Sequence, residues 1–371
     1  MNILFYTPLN TQCRDIESQA VEFQKAGHQI HVLTQSQYGK LHESFSGYGF
    51  RASFTEFSLR PSSLNFLLRI FKLVLYCWRN KIDLVYAHLE PCNFIAVVAQ
   101  YLVKTRVVIC RHHMDYARLS GMDRYFSYRL TYKSAKDIIV VSAQAKNYMI
   151  KEEGIPPEKI HQINLSYDFD LYQPPNINEI NKIRSSYQSD VLLLTVGRLS
   201  ALKRPQLSIQ LLFELRKIDL DARLLILGEG ELLDDLKKSV IDLNLTERVF
   251  FAGYVNNVLE YMSASDFLIH PSISESSCIS IKEAGLAALP SIVCKGIGDF
   301  DEVIQDQRNG FIVEKNDFVN ASAAIVNRYL SLKDKTEFRK IGEALCVDIQ
   351  DKFDIKKVAG DYETLFHKST S

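Results

Sequence analysis

The sequence predicts an α/β protein with two doubly wound, Rossmann-like domains that face a cleft. Short runs rich in β-branched and aromatic residues alternate with longer helical patterns, which is typical of parallel sheets with helices on both faces. The alternation starts a second time near the middle of the 371 residues, a length at which single cores stop growing. In such domains ligands bind at the carboxyl ends of the strands, so we expect the functional residues at those ends.

The predicted strands follow one another along the chain. In the first half they are NILFYT, QIHVLT, LVYAH, RVVIC and DIIVVS, and in the second VLLLTVG, ARLLILG, RVFFAG, DFLIHPS, PSIVCK and GFIVE. Segments such as IESQAVEFQKAG supply the helices between them. The polar residues 174–190, with two prolines at their start, predict a linker between a first domain at 1–173 and a second at 191–352. Residues 353–371 predict a closing amphipathic helix.

Composition excludes several classes of protein. The chain is 47% hydrophobic and 24% charged with a formal net charge of zero, so bulk charge indicates no nucleic acid partner. The charge is uneven, because residues 51–150 carry 15 Lys or Arg against 6 Asp or Glu, whereas residues 174–371 carry 24 against 29. This asymmetry indicates an anionic surface facing the first half, or a scattered and solvated set of cations.

The cysteines and the N-terminus bear on the compartment. Seven widely spaced cysteines without a C-x-x-C pair indicate neither a disulfide framework nor a zinc site. The opening MNILFYTP enters a strand directly and lacks the features of a secretory signal. We therefore expect a reducing, cytoplasmic location.

Two carboxylates, Glu275 and Glu283, lie on either side of the point where the strand pattern FLIHPS gives way to the helical pattern IKEAGLAAL. If the helix starts near Ile279, its unpaired first-turn N–H groups lie between the carboxylates and suit a phosphate or diphosphate. A nucleotide sugar has its hexose, diphosphate and ribose in this order. One carboxylate could therefore accept hydrogen bonds from hydroxyls of the hexose, and the other could accept them from hydroxyls of the ribose. The alternative is a pair of solvated surface acids.

Cations and glycines follow the other strands of the second half. In VGRLSALKRP, Gly197 lets the backbone turn, and Arg198 and Lys203 place two cations at a strand end. Such groups stabilise the charge that grows on a diphosphate leaving group, although a solvated loop would look the same. Gly228, a candidate nucleotide-binding residue, begins a G-x-G turn into a helix, although a tight strand-to-helix turn explains it adequately. At the next strand end, backbone groups around Gly253 and Tyr254 could read a nucleobase, or could serve only to turn the chain.

Taken together, these segments resemble the nucleotide-binding half of glycosyltransferase family 4, retaining enzymes with the two-domain GT-B fold. The matching elements stand here as GRLSALKR, LGEGELLDDL, VFFAGYV, ESSCISIKE, GIGDFDEVI and NGFIVE. The resemblance implies that Arg198 and Lys203 bind the diphosphate, Glu283 the ribose and Glu275 the transferred sugar. It also implies that backbone groups of Cys278, Ile279 and Ser280 hold sugar and phosphate oxygens.

The first half resembles the family in FQKAGHQIHVLT, and the closing FDIKKVAGDYETLFHK resembles its last helix, which packs against the N-terminal domain. The segment RHHMD, residues 111–115, follows the predicted strand RVVIC. By analogy with the histidine that the family has after that strand, His113 would donate a hydrogen bond to the sugar or the diphosphate, with His112 as second choice. We expect no metal, because adjacent histidines rarely converge on one ion.

Two departures from the family pattern leave an alternative open. PLNTQCRDIES lacks the glycine pair that normally follows the first strand, and Cys278 stands where the family has glycine. A non-catalytic or divergent nucleotide-sugar-binding protein of the same fold is the alternative to an enzyme. An NAD-type oxidoreductase is disfavoured, because neither half has G-x-G-x-x-G after a strand with an acidic residue about 20 positions on.

Two basic, aromatic stretches, residues 60–81 and 115–136, have the composition of amphipathic helices. Such helices can lie in a membrane interface, although a buried helix whose cations extend to solvent is the alternative.

Together with these motifs, the resemblance to family 4 implies a retaining, metal-independent hexosyltransferase without a cofactor. Its donor is a nucleoside diphosphate sugar, its acceptor a glycan or lipid-linked glycan, and it makes peripheral membrane contact through the basic first domain.

Overall fold

A computed structural model describes residues 1–11, 13–55, 62–112 and 129–368. His113 and most of the second basic stretch lie outside these residues. The chain divides into two compact units, the first comprising Met1–Phe169 with Phe353–Ser371 and the second Asp170–Lys352.

The first unit is built on one parallel sheet of seven strands in the order β3-β2-β1-β4-β5-β6-β7. Its strands are β1 (Asn2–Thr7), β2 (Gln29–Thr34), β3 (Arg51–Phe54), β4 (Leu84–His88), β5 (Arg106–Arg111), β6 (Asp137–Val140) and β7 (Ile160–Gln162). The helices are α1 (Arg14–Lys25), α2 (Lys40–Gly47), α3 (Ser62–Arg79), α4 (Cys92–Ala99) and α5 (Ala143–Lys151). The strand order reverses between β1 and β4.

The second unit is built on a parallel sheet of six strands in the order β10-β9-β8-β11-β12-β13. Its strands are β8 (Val191–Val196), β9 (Ala222–Leu227), β10 (Val249–Gly253), β11 (Phe267–His270), β12 (Ser291–Cys294) and β13 (Phe311–Val313). The helices are α6 (Ile177–Ser186), α7 (Gln206–Lys217), α8 (Leu233–Asp242), α9 (Val258–Ala264), α10 (Ile279–Leu286), α11 (Phe300–Val303), α12 (Phe318–Ser331) and α13 (Thr336–Phe353). The predicted fold class, two doubly wound parallel α/β sheets, is confirmed.

Central strands such as β1 and β8 are almost wholly buried, which explains why they read as continuous apolar runs. The sequence did not reveal β3, whose four residues are only half-buried or exposed, or β7, which has three residues. Short edge strands with few apolar residues give little periodic signal.

Residues 174–190, predicted as a linker, contain α6, which packs against α9. The helix forms because the Asn176 side chain accepts hydrogen bonds from the backbone N–H groups of Asn178 and Glu179. The buried Ile183 fixes it to the second unit.

The last helix, α14 (Ile355–His367), packs against α1 in the first unit. Its buried Tyr362 and Phe366 contact the ring of Phe23 at centroid distances of 5.7 and 5.4 Å. Glu363 adds a hydrogen bond of 2.9 Å to Nε2 of the buried His28. These contacts join the end of the chain to the domain formed by its beginning.

Candidate active site

The loops after β8 and β11 lie side by side where the strand order of the second sheet reverses. In doubly wound sheets this is the position at which ligands bind. The backbone N–H of Ile273 donates to the carbonyl of Leu202 at 2.9 Å, and the Ser272 hydroxyl donates to the same carbonyl at 3.1 Å. These bonds hold the segment with Lys203 against the segment with Glu275.

Lys203, Glu275 and His270 form a charged cluster between the two loops. Lys203 Nζ donates to Glu275 Oε1, and His270 Nε2 lies 2.7 Å from the same oxygen. The Glu275 and His270 side chains are 8% and 3% exposed, whereas Lys203 is 28% exposed. The structure thus brings together two predicted residues and adds His270, which the sequence analysis missed.

The charges in this cluster stabilise one another. Burial by itself would raise the pKa of Glu275, but His270 and Lys203 lower that pKa to about 2. Burial would likewise lower the pKa of His270, whereas its neighbours Cys278 and Glu275 raise it to about 9. At neutral pH the carboxylate is therefore ionised and the imidazole is positively charged.

Arg198 is exposed and lies just after β8. Burial by itself would lower the pKa of Lys203, but Cys278 and Glu275 together raise that pKa above its usual value. The positive charge of Arg198 partly opposes this rise. Two cations thus stand at the end of one strand, one exposed and one paired.

Helix α10 begins at Ile279, as predicted, with Cys278 at its N-cap position. Glu283 lies one turn further on and is half-buried. Cys278 and Ser280 are 4% and 6% exposed, and Ile279 is 39% exposed. The sulfur of Cys278 lies 3.4 Å from Nε2 of His270, so the residue that replaces the family's glycine joins the charged cluster.

Asp299 anchors the start of α10. Its carboxylate accepts a hydrogen bond of 2.9 Å from the Ser277 hydroxyl, one of 3.4 Å from the Cys278 backbone N–H, and one from the wholly buried Lys282. A carboxylate at a helix N-terminus is favourable there because of the helix dipole. This ion pair was not predicted from the sequence, since its two partners lie 17 positions apart on different elements.

The glycine turns at the ends of β8, β9 and β10 pack on one another. Gly197, Gly228 and Gly253 all have positive φ angles, of 142°, 124° and 67°. The N–H of Gly228 donates to the carbonyl of Gly253 at 2.7 Å, and a Cβ at position 228 would lie 2.0 Å from the carbonyl oxygen of Gly197. These turns need glycine for close packing, and they leave Tyr254 76% exposed beside them.

In the first unit, His112 directly follows β5, and its Nε2 lies 3.0 Å from Nδ1 of the buried His88. His113, the first choice in the sequence analysis, lies outside the described residues. Within the part of the chain that the structure describes, no helix is both long and apolar enough to cross a membrane.

Two family models match the chain in succession. Residues 15–171 match Glycosyltransferase Family 4, and residues 176–344 match Glycosyl transferases group 1. Among curated relatives, N-acetyl-alpha-D-glucosaminyl L-malate synthase of Bacillus anthracis is 23% identical over 92% of this chain and 89% of its own. The UDP-Gal:alpha-D-GlcNAc-diphosphoundecaprenol alpha-1,3-galactosyltransferase of Escherichia coli is 27% identical over 74% of both chains.

Solved structures show the same fold. Anabaena Alr3699/HepE in complex with UDP and glucose superposes with a TM-score of 0.84 at 19% identity and covers 100% of both chains. The lipopolysaccharide outer core galactosyltransferase WaaB, in its apo form, superposes with a TM-score of 0.74 at 14% identity, again over 100% of both chains. With a Family 4 domain followed by a group 1 domain, this chain belongs to the family 4 glycosyltransferases of the GT-B fold.

Proposed function

We propose that this glycosyltransferase moves a sugar from a nucleoside diphosphate sugar to a hydroxyl of a glycan or lipid-linked glycan, with retention of configuration and without a metal ion. The observation that carries the proposal is the cluster of Lys203 and Glu275 beside the start of α10, at the strand-order reversal of the second sheet. An Anabaena structural neighbour holds UDP, and an Escherichia coli relative is named for UDP-Gal and a diphosphoundecaprenol-linked sugar.

The donor would lie across the ends of β8 and β11. Arg198 and Lys203 would bind the diphosphate, Glu283 the ribose hydroxyls and Glu275 the hydroxyls of the transferred sugar. Since Lys203 donates to Glu275 in the structure, a diphosphate would compete with that carboxylate for the ammonium group. His270 would then remain as the partner that keeps Glu275 ionised and oriented.

The chemistry needs no nucleophile from the enzyme. The bond between the anomeric carbon and the diphosphate oxygen breaks, and the acceptor oxygen forms its bond on the same face of the sugar. The acceptor proton passes to an oxygen of the departing diphosphate, whose charge Arg198 and Lys203 stabilise. His113, in the first unit, would donate a hydrogen bond to the sugar or the diphosphate.

A panel of nucleoside diphosphates tests the donor site. A ligand that binds only the folded state stabilises it, by about 2.7 kcal/mol at 100 times its dissociation constant. We expect UDP to raise the melting temperature, and the matching UDP-sugar to be consumed in an assay with a lipid-linked acceptor. Binding of a nucleotide sugar without turnover across a set of acceptors would favour the non-catalytic alternative. No melting shift with any nucleotide would contradict both.

Two substitutions separate donor binding from transfer. Glu283→Ala should weaken nucleotide binding by about 1–3 kcal/mol, because a charged hydrogen-bond acceptor is lost. Arg198→Ala should mainly lower kcat, because its charge is needed most when the diphosphate departs. Glu247→Ala, an exposed residue before β10, is the control and should match wild type. Wild-type kinetics in both site variants would contradict the assignment.

We further propose that the first unit contacts a membrane through α3, which favours a lipid-linked acceptor. The helix is buried along only one face, while Leu64, Leu67, Phe71 and Trp78 form a stripe that is 42%, 61%, 64% and 77% exposed. The buried-helix alternative would place these side chains in a core. Exposed Arg79 and Lys81 follow Trp78, and together with the stripe they have the composition of an interfacial helix.

A further inference from the structure

Two histidines form a hydrogen-bonded pair in the first unit, at the point where the strand order of its sheet reverses. His88 is the last residue of β4, the strand next to β1 at the reversal, and His112 directly follows β5. Nδ1 of His88 lies 3.0 Å from Nε2 of His112. Ligands bind at such a reversal in doubly wound sheets, so the pair lies where the first unit is expected to meet a substrate.

The surroundings of His88 fix its ring and leave one of its nitrogens without a partner. The ring is fully buried and stacks on Phe5 at a centroid distance of 5.8 Å, while Tyr86 packs against it at 4.1 Å. Nε2 of His88 is buried and has no hydrogen-bond partner among the described residues. His112 is only partly buried. Because its Nε2 faces His88, Nδ1 is the nitrogen of His112 that remains for a ligand.

The position of the pair keeps both rings uncharged at neutral pH. Burial lowers the pKa of His88 well below its usual value, and His112 lowers that pKa further. Burial also lowers the pKa of His112, although the charge of Asp15 partly opposes this. A neutral imidazole has one N–H donor and one bare nitrogen. One of the two facing nitrogens therefore carries a proton, and the other accepts the hydrogen bond.

Two arrangements of the protons satisfy this hydrogen bond. In the first, His112 donates through Nε2–H, and the proton of His88 stands on its buried Nε2, where no described residue accepts it. In the second, His88 donates through Nδ1–H, and its buried Nε2 is a bare nitrogen. Orphaned buried N–H groups are rarer than unsatisfied buried acceptors, which favours the second arrangement. That arrangement puts the proton of His112 on Nδ1.

We propose that His88 is a positioning residue that fixes the tautomer of His112, so that His112 donates a hydrogen bond through Nδ1–H to an oxygen of the substrate. Such an oxygen belongs to a sugar hydroxyl or a phosphate, and both accept hydrogen bonds from a neutral imidazole. The step from tautomer to substrate rests on the proposed transfer reaction, whereas the tautomer itself does not. This role of His112 is separate from the one proposed for His113.

Nitrogen-15 NMR of the full-length chain with labelled histidine tests the tautomer directly, because protonated and bare ring nitrogens have well-separated chemical shifts. At pH 7.5 we expect His88 and His112 each to be protonated at Nδ1 and bare at Nε2. The variants His88→Asn and His112→Asn identify the two sets of signals by their loss. A proton on Nε2 of His112, or a positively charged ring at either position, would overturn the proposal.

Kinetics test whether the tautomer matters for transfer. His88→Leu removes the donor and should lower kcat at least about tenfold, because His112 is then free to present a bare nitrogen to the substrate. His88→Asn should keep most of kcat, since its amide N–H can take the place of Nδ1–H. The melting shift with UDP should match wild type in both variants. His31→Leu is the matched control, because His31 is also buried in the first sheet, and its kcat should match wild type.

Wild-type kcat in His88→Leu, or an equal loss of kcat in folded His88→Asn and His88→Leu, would contradict the positioning role. Circular dichroism shows whether each variant is folded, and the wild-type spectrum keeps the tautomer testable if His88→Leu does not fold. An active enzyme with a proton on Nε2 of His112 would refute this role and leave the transfer reaction intact. Absence of transfer to any acceptor, together with the expected tautomer, would instead count against the proposed reaction.

Discussion

His270 contacts two residues of the charged cluster, although no sequence pattern marked it as a site residue. It ends β11 and contacts both Glu275 and Cys278, which follow in the next loop. Its raised pKa and the lowered pKa of Glu275 mean that each charge stabilises the other in a buried place. We interpret His270 as a positioning residue that holds Glu275 for a ligand.

The stabilisation by His270 should depend on pH. Because its pKa rises from 6.5 to about 9 on folding, its contribution is fully present below pH 6.5 and is lost as the pH rises through about 9. Glu275 behaves oppositely: its contribution is present above pH 4.5 and is lost as the pH falls through about 2. His270→Asn should therefore lower the free energy of unfolding by about 2 kcal/mol at pH 6.

Urea unfolding at pH 6, 8 and 10 measures this effect. The difference between wild type and His270→Asn should shrink at pH 10, where the wild-type imidazole is neutral. His367→Asn removes a histidine that is 60% exposed and should change little at any pH. A difference for His270→Asn that stays constant from pH 6 to 10 would show that packing, and not charge, explains its effect.

The sequence predicted some site residues and not others for a physical reason. Lys203 and Glu275 lie in the loops that follow two strands, and Glu283 lies early in a helix; strand ends and helix starts can be recognised from local patterns. Asp299 and Lys282 act through a buried ion pair between α10 and the turn before α11. Such a contact depends on how elements pack together, which a single sequence does not state. Because lysine is rarely buried, Lys282 would be expected at the surface from the sequence alone.

At the scale of elements, the position of α10 depends on close packing against α13. Gly285 on α10 faces Ile349, where a Cβ would lie 2.5 Å from that side chain. Gly342 on α13 faces the end of α10, and a Cβ there would lie 1.8 Å from the backbone oxygen of Ala288. Two glycines thus let the helices approach, and this approach places Glu283. The helical pattern of α10 could be recognised in the sequence, but the helix that packs against it could not.

Gly342→Ala tests that packing. The added methyl meets backbone that cannot turn aside, so we expect a loss of about 2 kcal/mol and weaker nucleotide binding. Gly360→Ala is the matched control, because Gly360 is also within a helix and a Cβ there meets nothing within 4 Å. The control should be neutral or stabilising by up to about 1 kcal/mol. Equal melting temperatures for the two variants would contradict the role assigned to Gly342.

For the whole molecule, the uneven charge matches the uneven exposure of apolar side chains. The excess of Lys and Arg at 51–150 falls on the unit whose α3 carries Leu67, Phe71 and Trp78 on its surface. Fold class and basic character could be predicted from composition and periodicity. Which face of α3 is exposed could not, because both faces are rich in apolar residues and only the sheet decides which one is buried.

Vesicle binding tests the membrane proposal. Wild type should co-sediment with vesicles containing anionic lipid at low salt and less so at high salt, because screening weakens the attraction of the basic side chains. Replacing Leu67, Phe71 and Trp78 by serine should reduce the bound fraction several-fold, since buried apolar area supplies much of the affinity. The melting shift with UDP should be unchanged in this variant, because these residues lie in the first unit.

The control replaces Ile241 and Val347 by serine, two side chains of the second unit that are 64% and 65% exposed. These substitutions remove a comparable kind of exposed apolar surface but leave α3 intact, so they should not change the bound fraction. A lipid surface that recognised apolar side chains anywhere on the protein would respond equally to both variants. An equal loss of bound fraction in the two variants would therefore show that α3 is not the contact. If the wild-type protein does not co-sediment with the vesicles at low salt, the membrane proposal is wrong.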